Sequence, residues 1–181
     1  MKFTKLTFTI LVALIFLSSC SSKYKVDVDI TPERVTELKQ SIKDYKQEIA
    51  EFKPSDDEII PFVAINEMAR AYEELGEYGK AIDLYLSVIN EGHSTKALIH
   101  NLGRAYEAVG EYDLAVEQYQ RIIDEYFDHG YLYDITWAYI RAGNRQGAET
   151  YFNEWQLKFR KTDEQVQNEI KKLREAEKNQ T

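Results

Sequence analysis

Ile65, Met68, Ala69 and Tyr72 recur at spacings of three and four, which places them on one face of a helix. Gly76 follows where a helix must stop in a left-handed turn, and a second stripe of Ala81, Tyr85 and Val88 then begins. Residues 65 to 88 align with residues 99 to 122 at an offset of 34, setting Ala71-Tyr72-Glu73-Glu74-Leu75-Gly76-Glu77-Tyr78 over Ala105-Tyr106-Glu107-Ala108-Val109-Gly110-Glu111-Tyr112. A weaker third copy follows at an offset of 33, with Tyr139, Gly143, Ala148 and Phe152 in the matching slots. Small residues at Ala69, Gly103 and Thr136 face Ala81, Ala115 and Ala148, so two antiparallel helices can approach closely while tyrosines fill the gaps. Each copy is expected to be a helical hairpin.

The flanks carry the same periodicity. Thr31-Pro32 reads as an N-cap followed by proline at the first helical position, and Val35, Leu38, Ile42, Tyr45, Ile49 and Phe52 then alternate at three and four until Pro54-Ser55 breaks the helix. Thr162-Asp163-Glu164-Gln165 resembles a capping box and leads into Val166, Ile170 and Leu173 on a charged helix. A hairpin cannot bury its own apolar face, so these flanking helices suit the ends of a stack. The 35–52 stripe also has the spacing of a coiled-coil seam, over fewer than three heptads. It therefore has two readings, packing onto the first repeat or homodimerisation.

The repeated pattern resembles the tetratricopeptide repeat family. The family's aromatic-x2-Leu-Gly-x2-Tyr signature stands as Ile65/Met68/Ala69/Tyr72, Ile99/Leu102/Gly103/Tyr106 and Leu132/Ile135/Thr136/Tyr139, and its Ala-x3-Phe element as Ala81/Tyr85, Ala115/Tyr119 and Ala148/Phe152. Large aliphatics replace the family's tryptophan, His93 and Phe127 stand where a proline closes the repeat, and Trp155 fills a slot usually held by alanine. The resemblance implies an all-α fold: a solenoid of about three hairpins over residues 55–160, an N-terminal flanking helix at 31–53 and a C-terminal capping helix at 162–177, about eight helices with no sheet.

The first thirty residues differ in kind. Lys2 and Lys5 precede an apolar run from Leu6 to Leu17, 12 residues where a membrane-spanning helix needs about 20. Leu17-Ser18-Ser19-Cys20 then resembles the lipobox of a bacterial lipoprotein signal, which implies cleavage after residue 19 and acylation of Cys20 with chains such as palmitate. Cys20 is the single cysteine, so no internal disulfide can form. Residues 20–30 read as a flexible tether. Ser21 is not the aspartate associated with inner-membrane retention in some bacteria, so the expected location is a bacterial cell envelope, lipid-anchored in the outer membrane.

Removing residues 1–19 takes away two lysines and leaves 21 basic against 31 acidic residues, a net charge of −10. That argues against nucleic acid as a partner. His93, His100 and His129 form no metal-ligand spacing, and no phosphate loop or paired general acid and base can be picked out. No enzyme, metal or cofactor is expected. The resemblance instead implies a binding face on the first helix of each copy, beside the core stripe: Asn66, Arg70 and Glu73; His100, Arg104 and Glu107; Tyr133, Trp137 and Ile140. Such a surface is rich in the residue types of binding hot spots and is expected to hold a segment of another envelope protein, acidic near Arg70 and Arg104. The plainer reading is that Arg70 with Glu73, and Arg104 with Glu107, are surface i,i+3 pairs worth about 0.2 to 0.5 kcal/mol, and that Trp137 is core. An alternative role is the ligand-binding accessory of an envelope transporter, which the 13 tyrosines permit.

Overall fold

A computed structural model describes residues 24–52 and 62–179. The signal segment, Cys20 and the Pro54-Ser55 break lie outside the described residues. Within them the chain forms eight helices and no strand: α1 (Pro32–Glu51), α2 (Phe62–Glu74), α3 (Tyr78–Asn90), α4 (Lys96–Ala108), α5 (Tyr112–Tyr126), α6 (Tyr131–Arg141), α7 (Arg145–Phe159) and α8 (Glu164–Lys178). No helix among the described residues is long and apolar enough to cross a membrane. The chain divides into two compact units, residues 1–98 and 99–181.

In the first unit α2 packs against both α3 and α1. Ile65, Met68, Ala69 and Tyr72 of α2 and Ala81, Tyr85 and Val88 of α3 are buried, as their spacing predicts. Gly76 turns the chain between them at φ +72. Phe62 and His93 close the opposite end, with rings 4.1 Å apart. α1 starts where the sequence places it: the Thr31 hydroxyl accepts from the Arg34 amide at 3.2 Å, with proline at the first position. Its Leu38, Ile42 and Ile49 are buried. The seam is thus engaged within the chain, against α2, and the packing reading of the 35–52 stripe is the one the structure realises. Arg34 reinforces the arrangement with a two-pronged bond to Glu74, at 2.5 and 2.8 Å.

Residues 24–30, expected as part of a free tether, are instead laid onto this unit. The Val26 amide donates to the Gly76 carbonyl at 2.8 Å, and Tyr24, Val26 and Ile30 are half-buried while Lys25, Asp27 and Asp29 are exposed, as is Val28 at 37%. The cause is a period of two, apolar against polar, which suits an extended segment lying on an apolar surface.

In the second unit α6 packs against α5 and α7, and α8 covers both α7 and α6. Ala115, Ile135, Ala138 and Ala148 have no exposed surface, and Gly103 is buried against the Tyr119 ring. Ala148, Phe152, Val166 and Ile170 form the core under the capping helix. Asp163, rather than Thr162, is the N-cap of α8: its carboxylate accepts from the Val166 amide at 3.1 Å. Asp163 has the extended backbone an N-cap needs, and Thr162 is held by Gln156 and Gln167 instead.

Candidate functional site

The second unit gathers most of the expected binding residues. From α4, His100 is half-buried, Arg104 is exposed, and Glu107 is buried except for 17% of its side chain. Glu107 receives two donors: the Tyr119 hydroxyl at 3.3 Å and the Arg141 guanidinium at 2.7 Å. The Arg141 guanidinium also lies over the Trp137 ring, 5.8 Å from its centre. His100 meets Tyr131 edge-on at 5.4 Å, and Tyr131 lies 5.9 Å from Tyr119. The α4–α6 face is therefore a continuous network: His100, Tyr131, Tyr119, Glu107, Arg141 and Trp137.

Its electrostatics follow from partial burial. Desolvation, with the Glu107 charge second, pushes the Asp134 carboxyl up to about 6. Burial, and then the Arg104 charge, holds the His100 imidazole below its ordinary value. Burial and the nearby Glu107 charge raise the Tyr119 hydroxyl, so it stays protonated and can donate.

Neither expected pair forms, although Arg70 keeps a surface i,i+3 pair with a different partner. Glu107 bonds Arg141 in the next hairpin rather than Arg104, and Arg104 has neither ion pair nor hydrogen bond among the described residues. Arg70, largely exposed, reaches Glu67 at 3.4 Å and not Glu73. In the first unit Asn66 also donates to Glu67, at 3.2 Å, and Glu73 is half-buried.

Tyr133 reaches the face only through Trp137, whose ring it meets edge-on at 6.3 Å. Its hydroxyl donates to Asp163 at 2.8 Å and its ring lies 5.0 Å from Trp155, so it ties the capping helix to the last hairpin. Trp137 and Ile140 are half-buried against the same capping core. Trp137 thus has two roles, one edge on the cap and one on Arg141.

Sequence reasoning missed Arg141, Tyr119 and Asp134 as members of the face. Arg141 stands one residue beyond the slot of Glu73 and Glu107, so a copy-by-copy alignment passes over it. Tyr119 was read as core only, and it is core, with a hydroxyl that reaches the face.

Residues 64–94 and 97–126 match the tetratricopeptide repeat family. Those two segments are tetratricopeptide repeats. α6–α7 packs as a third hairpin beyond the matched residues. No curated protein sequence matches the chain. Tetratricopeptide repeats serve protein–protein interaction and are as a rule not catalytic. Among the described residues no group of histidine and carboxylate side chains could hold a metal ion.

Proposed function

We propose that the protein is a lipid-anchored adaptor of a bacterial cell envelope that docks a segment of another envelope protein on the α4–α6 face. One observation carries the docking reading: Arg104 is an exposed, unpaired cation beside a preorganised network. An arginine whose neighbouring carboxylate, Glu107, is engaged by Arg141 offers its planar fork to an incoming carboxylate without first breaking an internal bond. Trp137 stacked by Arg141 supplies the aromatic anchor beside it. The partner segment is accordingly acidic at the residue that meets Arg104.

The anchoring part rests on the sequence. A basic start, 12 apolar residues and Leu17-Ser18-Ser19-Cys20 support acylation at Cys20, and two or three acyl chains hold a protein stably where one does not. Ser21 favours the outer membrane. The protein acts by position, as a non-catalytic scaffold.

The test is a crosslinking pull-down from native membranes with wild type and Arg104→Glu. A partner recovered by wild type and lost at least tenfold in the variant, with unchanged helicity, supports the reading. Equal recovery contradicts it.

A further inference from the structure

Gly76 differs from the other two repeat glycines in what lies above it. Gly76, Gly110 and Gly143 all turn their hairpins at positive φ, +72, +79 and +71. A Cβ at Gly110 or Gly143 would meet nothing within 4 Å, whereas at Gly76 it would lie 1.9 Å from the Val26 carbonyl oxygen and 3.3 Å from Val28 Cγ1. The first turn alone of these three carries a backbone-on-backbone contact, sealed by the Val26 amide on the Gly76 carbonyl at 2.8 Å. Two residues away, Glu74 is clamped by Arg34, so the segment's onward path into α1 is pinned to the same end of the hairpin.

Covalent length then bounds where this end can be. Six residue steps lead from Cys20 to Val26, and at about 3.3–3.6 Å each they span at most about 22 Å. The far end of the hairpin, at Phe62 and His93, lies one helix length beyond, about 20 Å for the 13 residues of α3.

We propose that residues 24–30 are a strap, docked on the Gly76 turn, which presents the α2–α3 turn end of the first unit to the bilayer surface within a short, bounded standoff. This rests on the anchoring reading above. The Val26 amide is satisfied by the protein rather than by lipid, so the strap sets facing and bounds distance while the acyl chains supply the hold. Gly76 is required because any side chain there would displace the Val26 carbonyl.

Two measurements on the full acylated chain test this. In the first, amide exchange at Val26 and tryptic cleavage after Lys25 are followed in wild type, Gly76→Ala and Gly110→Ala. The strap predicts about tenfold faster exchange and cleavage in Gly76→Ala alone, the loss of one hydrogen bond, because Gly110→Ala shares the positive-φ penalty without the clash. Val26→Pro removes the donor without touching the repeat; with no amide at 26 and no tryptic site after Lys25, it is read instead by a spin label at exposed Asp27→Cys, whose mobility rises when the strap is released, even if Gly76→Ala fails to fold. In the second, a fluorophore at Lys80→Cys or Glu91→Cys is quenched by spin-labelled head groups in phosphatidylcholine vesicles. At least twofold stronger quenching at 80 than at 91, lost with Val26→Pro, is expected. An acylated chain quenched equally at both sites, or unaffected by Val26→Pro, overturns the strap. A chain whose mass shows no acyl group at Cys20 overturns the anchoring reading, and the bilayer facing with it.

Discussion

Gly103 and Gly147 both occupy close helix contacts, and replacing either by alanine should destabilise the protein, Gly103 the more. In both cases alanine gains helix propensity, about 0.8–1 kcal/mol. In both the new Cβ would lie 2.6 Å from a tyrosine ring carbon, Tyr119 for Gly103 and Tyr139 for Gly147. The difference is how firmly the ring is held. Tyr119 is 1% exposed, its hydroxyl is bonded to Glu107, and Tyr131 and His100 flank it. Moving it costs about 1–3 kcal/mol of overpacking and roughly 1 kcal/mol for the hydrogen bond. Gly103→Ala is therefore net destabilising by about 1–3 kcal/mol. At Gly147 the Cβ meets the root of the half-buried Tyr139 ring, 2.6–2.8 Å from Cγ and both Cδ atoms, and that ring lies 5.6 Å from Tyr151, so Gly147→Ala should also destabilise, by about 0.5–2 kcal/mol, less than Gly103→Ala because no hydrogen bond is broken. Urea denaturation followed by circular dichroism measures both, with Gly103→Ala lowering the midpoint at unchanged slope. A Gly103→Ala protein as stable as wild type, or a Gly147→Ala protein at least as damaged, refutes the claim that Tyr119 is locked by the face it supports.

Asp134 sets a pH dependence. Its raised value means the folded state holds a proton that the unfolded state releases, so its contribution is present below pH 4 and is lost as pH rises to about 6. Asp134→Asn should match wild type near pH 4 and exceed it at pH 7 by roughly 1–2 kcal/mol, a two-unit shift reduced for the side chain's solvent contact; equal stability at pH 7 contradicts the burial argument. Leu38→Glu with Ile42→Glu should detach α1 and lower stability by more than about 3 kcal/mol without changing the mass in sedimentation, since both side chains are buried on the same chain; a dimer becoming a stable monomer shows the opposite. Asn144→Ala removes the side chain that accepts from the Gly147 amide at 2.9 Å, and should cost about 1 kcal/mol in thermal unfolding.

The hairpins were legible because their signals are local and redundant: a stripe at three and four, a glycine at the turn, and small residues where helices approach. Ala69, Ala81, Ala115, Thr136 and Ala148 are all fully buried, as that reasoning requires. The strap was missed because its period is two, not 3.6, and Tyr24-Lys25-Val26-Asp27-Val28-Asp29-Ile30 shows the alternation only to a reader searching for an extended segment. The face was half legible. His100, Arg104, Glu107 and Trp137 follow from helix geometry, but side chains pair across hairpins at distances the stripe does not encode, so Glu107 found Arg141 and Tyr133 turned to Asp163. The shift of the α8 cap from Thr162 to Asp163 has the same origin: the Tyr133 hydroxyl adds a second partner to one of two adjacent candidates.

The protein's proposed role depends on the α4–α6 face being where a partner binds. A photoreactive residue at exposed Ala108, one helical turn from Arg104, and another at exposed Glu117 on α5, can be compared in native membranes, each with the full chain and Arg104 in place. A discrete partner crosslinked at 108 and not at 117, and absent when Trp137 is changed to alanine in a chain of normal helicity, is the predicted result. Equal crosslinking from both positions, or crosslinking at 108 that survives the loss of Trp137, would contradict it.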